Sequence, residues 1–227
     1  MNKQECQKIF NLKKREYNVN EKYFIVEKIE NLPKKSLYRF TKRLFDLVFS
    51  LVGLVFLIIP MIIISILIKV DSKGPIFYRQ ERLGKNFKKF YIIKFRSMRT
   101  DAEKKGPQWA DKNDNRVTKF GNFLRKSRLD ELPQLINILL GQMSFVGPRP
   151  EREVFYDEFR TYIEGFDQRL LIIQGLTGLA QINGGYDLLP EEKIIYDIEY
   201  IKRRSLWLDI KLIIKTVLVV FSHNGAR

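Results

Sequence analysis

The sequence predicts a mostly helical α/β domain associated with a membrane, and three observations predict it. An uncharged run of 22 residues, Leu47 to Ile68, could extend about 33 Å as a helix at ~1.5 Å per residue, the depth of a bilayer core. A later stretch, Gly74 to Met98, is rich in aromatic and β-branched residues around a turn sequence, as in a strand hairpin. The 227 residues are 45% hydrophobic, which suits one core with appendages rather than several domains.

Composition narrows the chemistry. With 41 Lys and Arg against 26 Asp and Glu the chain carries a net charge of +15, so its partners are anionic: phosphates, a lipid surface or nucleic acid. Cys6 is the only cysteine, which excludes an internal disulfide framework and points to a reduced, cytoplasm-facing protein. His223 is the only histidine, which argues against Ser-His-Asp, Cys-His and histidine-ligated metal chemistry. Carboxylates, Lys and Arg, hydroxyls or a bound metal are left to do the work.

Three regions follow along the chain. Residues 1–36 are charged and weakly patterned, a cytoplasmic extension with one short strand or helix between Tyr23 and Ile29. Residues 37–70 form the membrane segment, in which Pro60 cannot donate to the helical ladder and predicts a bend or break. Lys34, Lys35, Arg39, Lys42 and Arg43 precede the apolar run, and Lys69, Lys73, Arg79, Arg82 and Lys85 follow it, so the positive-inside bias is balanced. Two arrangements fit. One is a helix-break-helix hairpin returning to the same face, with Ser50 or Ser65 bonding the backbone groups freed near Pro60; the other is a kinked transmembrane span.

Residues 71–227 form the catalytic region. Two strands are joined at Gly84-Lys85-Asn86, the second bearing Lys94 and Arg96. Residues 101–118, with Gly106-Pro107 and an Asn/Asp cluster, predict a mobile loop that carries Arg116. A helix begins near Phe120, and another begins near Asp130 and ends at Gly141, with Pro133 in its first turn and Asp130 at or beside the N-cap. There Asp130 and Glu131 could stay ionised, share a divalent cation and receive phosphate oxygens. Arg125, Lys126 and Arg128 surround the pair, and Arg149 is stiffened between Pro148 and Pro150 for bidentate recognition of an anion. A final helix, Leu206 to Phe221, holds Asp209, Lys211 and Lys215 in an apolar segment with Trp207, as in an interfacial helix or one packed on the core.

The runs KRLFDLVFSLVGLVFLIIPMIIISILIKVDSKGPIFYRQERLGKNFKKFYIIKFRSM, RVTKFGNFLRKSRLDELPQLINILLGQMSFVGPRPE, GLTGLAQINGG and YDIEYIKRRSLWLDIKLIIKTV resemble the bacterial sugar transferases, the monotopic phosphoglycosyl transferases. The resemblance covers roughly Lys42 to Val220. It implies transfer of a sugar 1-phosphate from a UDP-sugar to polyprenyl (undecaprenyl) phosphate with release of UMP, the first membrane step of exopolysaccharide, capsule or glycan assembly. It implies further that Asp130 attacks the phosphate nearer the sugar to form a covalent phosphosugar. Glu131 would hold Mg²⁺, support acid/base chemistry or position the lipid phosphate. Arg125, Arg128 and Arg149 are the expected phosphate contacts, with Lys94 and Arg96 secondary and Arg116 reaching the nucleotide. The resemblance also favours a re-entrant hairpin broken at Pro60, with Lys42 and Asp46 near the arriving lipid phosphate, on the cytoplasmic face of the bacterial inner membrane. It implies the short form, without the added N-terminal helices of longer members. Its partners would be UDP-sugar, polyprenyl phosphate and membrane lipid but no nucleic acid, and a homo-oligomer is left open.

This chain departs from the family pattern in several places. Ile173-Gln174 stands where relatives carry Arg-Pro or Lys-Pro, Gly185 replaces the arginine of Asn-Gly-Arg, Gln142 replaces an aspartate, and Ile59 replaces the serine before Pro60. The competing class is a membrane-anchored basic module binding nucleic acid or anionic lipid, in which the Asp-Glu pair is only a helix cap and binding collapses with salt.

Overall fold

The apolar run becomes the spine of the molecule. In this computed structural model, which describes residues 24–30, 32, 35–104, 114–185 and 188–222, helix α1 (Ser36–Asp71) has 36 residues and a length of about 54 Å. Cys6, His223 and residues 105–113 of the predicted loop lie outside the described residues.

One stripe of α1 lies on the rest of the protein from end to end. Near its start Lys42 Nζ donates to Asp209 Oδ2 at 2.8 Å, and Arg43 donates to the carbonyls of Ile138 and Leu139 at 2.7 and 2.8 Å. Asp46 accepts from Ser144 Oγ and from the Phe145 amide. Lys42 and Asp46 thus hold the helix to the body. Farther along, Leu54 and Leu57 pack beside Leu135 and Ile138, and Ile64 and Ile68 pack beside Phe95 and Leu124. These positions recur every three or four residues, the spacing of a single helical face. The other face is apolar and exposed, with Phe56 at 77% and Ile59 at 66%.

The helix continues through Pro60, so the expected helix-break-helix form is not what is found. Proline removes one donor, and the flanking turns keep theirs. Ser50 Oγ bonds the Leu47 carbonyl and Ser65 Oγ the Met61 carbonyl, so neither serves the Phe56 carbonyl that Pro60 leaves without its usual donor.

The strands form three separate pairs. β2 (Phe77–Leu83) and β3 (Lys89–Phe95) make the predicted antiparallel hairpin, Gln80 opposite Ile92, and its turn places Asn86 and Phe87 at positive φ. β4 (Ser144–Val146) runs parallel to β6 (Gly175–Thr177), and β1 (Phe24–Ile25) runs parallel to β5 (Ile163–Glu164). Helices α2 (Lys119–Lys126), α3 (Gln134–Leu139), α4 (Glu153–Arg160), α5 (Leu179–Ile182), α6 (Pro190–Arg203) and α7 (Leu206–Ser222) complete the described elements. Thr118 caps α2, its hydroxyl accepting from the Gly121 amide at 3.0 Å.

The largest apolar cluster draws Phe24 and Val26 of the N-terminal extension in with Tyr156, Phe159, Phe166 and Ile198. Gln168 fastens the same segment, accepting from the Ile29 amide and donating to the Glu27 carbonyl. Phe24 is 2% exposed, and Phe24→Ala should cost about 3 kcal/mol. Thermal unfolding in detergent should show a fall of roughly 6–12 °C, with Ile25→Ala, at an exposed neighbour, close to unchanged.

Candidate active site

Asp130 and Glu131 lie in a 3₁₀ turn, Leu129–Glu131, ahead of α3 and not at its N-cap. Pro133 occupies the cap of α3, which is only six residues long, so the expected helix-end field gives way to side-chain cations. Arg128, with φ of 55°, turns the chain out of α2 into this turn.

Glu131 joins three segments. Lys94 Nζ, on β3, donates to its Oε1 at 2.9 Å, and Arg149 Nη2, from the Gly147-to-Pro150 loop, donates to the same oxygen. Burial opposes this charge, yet Arg149 and Lys94 together hold the carboxyl well below the usual carboxylate range. Glu131 is therefore a fixed negative charge and a poor proton carrier.

Asp130 is different. Among the described residues it accepts no hydrogen bond and forms no ion pair, and it lines the main cavity. Burial raises its pKa to about 6, with Glu131 adding to the shift while Lys94, Arg125 and Arg149 oppose it through space. An uncommitted carboxylate with a raised pKa and cations nearby is equipped to attack an electron-poor centre bearing anionic oxygens.

The cavity has a volume of about 460 Å³, and Lys94, Arg96, Arg116, Arg125, Arg128 and Arg149 all line it with Asp130. Besides Lys94 and Arg149, which serve Glu131, two of these are held elsewhere. Arg96 bonds the carbonyls of Ser72 and Lys73 at 2.7 and 2.6 Å, capping the end of α1, a structural role that its charge alone did not reveal. Arg116 grips Asp114, with Nε at 2.7 Å and Nη2 at 2.5 Å from its carboxylate.

The carboxylates present could hold the expected Mg²⁺ only together with oxygens from another molecule. Magnesium takes one or two carboxylates plus phosphate oxygens; Asp130 offers open oxygens, while Glu131 Oε1 already serves two cations. No group of three or more His, Cys, Asp or Glu gathers among the described residues, so the substrate would complete the coordination.

Sequence reasoning missed the support behind Arg149. Arg169 donates to the Arg149 carbonyl at 3.0 Å and to Asp197 at 2.6 Å, and both members of this ion pair are almost fully buried. Its signal is faint, since an Arg and an Asp 28 residues apart in separate elements have no fixed spacing. Asn137 was missed too. Its side chain bonds the Ile93 amide and the Tyr91 carbonyl, fastening α3 to β3 and setting Lys94 beside Glu131.

A family model described as bacterial sugar transferase matches residues 37–223. The chain is 40% identical over 194 residues to a UDP-N-acetylgalactosamine-undecaprenyl-phosphate N-acetylgalactosaminephosphotransferase of Aeromonas hydrophila, covering 84% of this chain and 46% of the relative. It is 43% identical over 191 residues to a UDP-glucose:undecaprenyl-phosphate glucose-1-phosphate transferase of Xanthomonas campestris pv. campestris, covering 82% and 40%. A protein of the same name from Escherichia coli (strain K12) is 41% identical over 199 residues, covering 86% and 43%. The chain thus spans less than half the length of these relatives.

The raised pKa of Asp130 has a stability consequence. A carboxyl whose folded pKa lies above its unfolded value destabilises the fold once ionised, fully above the folded pKa and not at all below the unfolded one. Asp130→Asn should therefore raise the thermal midpoint of the metal-free protein at pH 7.5, by no more than about 3 kcal/mol in stability from the shift between 3.8 and about 6. The advantage should fade as the pH falls from 6 to 4; an advantage independent of pH would contradict this origin.

Proposed function

We propose that this chain, which belongs to the bacterial sugar transferase family, moves a sugar 1-phosphate from a UDP-sugar to undecaprenyl phosphate at the membrane and releases UMP. The observation that carries the reading is the contrast within the carboxylate pair: Glu131 is clamped by two cations, while Asp130 is unpaired at the cavity wall.

In the first half-reaction an Asp130 oxygen attacks the phosphorus that bears the sugar. The bond from that phosphorus to the oxygen bridging it to UMP breaks, and the UMP oxygen departs with the electron pair. In the second, a phosphate oxygen of the lipid attacks the same phosphorus, the acyl phosphate bond breaks, and Asp130 regains its charge. Arg125, Arg128 and Arg149 line the route and offset the negative charge that would otherwise repel the carboxylate. Lys94 and Glu131 keep Arg149 aimed at the cavity. Mg²⁺, if bound at Asp130 and the substrate phosphates, would supply further charge neutralisation on the donor's diphosphate as UMP departs.

Membrane association is supported by α1, the one described helix long and apolar enough to cross a bilayer. Both ends of α1 dock on the same body, through Lys42 and Arg43 at one end and Asp71 and Arg96 at the other, which supports an association that leaves both ends of this unbroken helix on the cytoplasmic face. Trp207 and Leu218 of α7, 75% and 64% exposed, add apolar surface for lipid contact.

UMP release by the detergent-solubilised protein with Mg²⁺, undecaprenyl phosphate and a panel of UDP-sugars tests the reaction. Asp130→Asn should abolish release and also the sugar phosphate adduct on the peptide containing residue 130; release that persists in the variant would remove Asp130 from the role. With Cys6 replaced, cysteines at positions 36 and 73 should both label from the cytoplasmic side alone. Labelling of either from outside would establish a span.

A further inference from the structure

The cavity wall holds a group that the phosphate chemistry does not use. Both amide atoms of Gln181, on α5, are shielded from solvent and have no hydrogen-bond partner. Gln134, whose amide is also unpaired, is not among the residues lining the cavity; Gln181 is. Buried amides in folded proteins almost always find partners, so an unpaired one on the wall of a substrate cavity calls for a ligand. Leaving it unpaired has a cost that a bound ligand would relieve.

Its position ties it to the reacting centre. A Cβ placed on Gly178 would lie 2.7 Å from Gln181 Oε1 and 2.3 Å from the Gly147 carbonyl, so the amide and the start of the Gly147-to-Pro150 loop flank one point. That loop carries Arg149, which reaches Glu131. Arg149 and Gln181 line the same cavity, so one molecule could meet both. A volume of about 460 Å³ falls within the range of small-molecule sites, about 300–1,000 Å³.

The chemistry of the amide selects the partner. Its nitrogen only donates and its oxygen only accepts, so a phosphate could satisfy the first but not the second. We propose that Gln181 pairs with an uncharged donor-and-acceptor edge of the nucleotide sugar, supplied by the base or by the sugar, and so sets donor specificity. This rests on the transferase reading, because that reading puts a nucleotide sugar in the cavity. It assigns Gln181 a contact with the part of the donor that does not react.

Binding of three probes in the presence of Mg²⁺ tests it: inorganic diphosphate, UDP, and the pair UDP-glucose and UDP-N-acetylgalactosamine. The Asp130→Asn protein prevents turnover, and Gln181→Met keeps the length of the side chain without its amide. Gln181→Glu keeps the acceptors and loses the donor. The expected result is unchanged diphosphate affinity with roughly tenfold weaker UDP binding in both variants if the base is read. If the sugar is read, UDP is unchanged and one UDP-sugar weakens by a similar factor. Equal weakening of diphosphate, or no change with any probe, overturns the proposal. Should the chain with Gln181 intact bind none of the probes, and the chain with Asp130 release no UMP, the transferase reading fails and takes this inference with it.

Discussion

A single carboxylate holds the site together. Glu131 takes Lys94 from the hairpin and Arg149 from the proline-flanked loop, and its own position is fixed by the 3₁₀ turn between α2 and α3. Three segments far apart in sequence meet at one oxygen, and each is braced from behind. Asn137 fastens the hairpin to α3, Arg169 with Asp197 holds the Arg149 carbonyl, and Arg43 of α1 ties off the far end of α3. Pairing makes burial of the Glu131 charge tolerable, and removal of both cations would leave it poorly compensated in a desolvated place.

The two neighbouring carboxylates thus divide the electrostatic tasks. Glu131 saturates Lys94 and part of Arg149, so these cations reach Asp130 only through space, and burial then dominates Asp130 and raises its pKa. A shared environment pushes the pair apart, one fixed as a charge and the other kept available. The instability of an ionised Asp130 is a cost of the kind that functional sites carry elsewhere in proteins.

Much of this was legible in the residues, and the reasons for the failures are physical. The hairpin was readable because its turn and aromatic strands are local signals, and α1 because a long uncharged run has few alternatives. Asp130, Glu131 and Arg149 were visible as a cluster of charges in a proline-punctuated stretch. The 3₁₀ turn was not: Pro133 is compatible with a first helical turn and with a cap, and only the packing of Leu129 and Leu132 against α1 and α2 decides between them. Arg96 looked like a phosphate ligand because sequence shows its charge and not the carbonyls of Ser72 and Lys73 that it serves. The buried Arg169–Asp197 pair and the unpaired amide of Gln181 depend on contacts between segments that no spacing encodes.

The stripe of α1 that meets the body has a mechanical corollary. Since Arg43 grips the end of α3 and Arg96 grips the end of α1, the turn bearing Asp130 and the embedded helix move as one piece. Under the proposed membrane association, the height of Asp130 above the headgroups would be set by how deep the exposed apolar face of α1 settles in the lipid. Under the proposed function, a lipid carrier whose phosphate sits at a fixed level would meet Asp130 at a distance set by the seating of the helix, which would make the bilayer itself a dimension of the site.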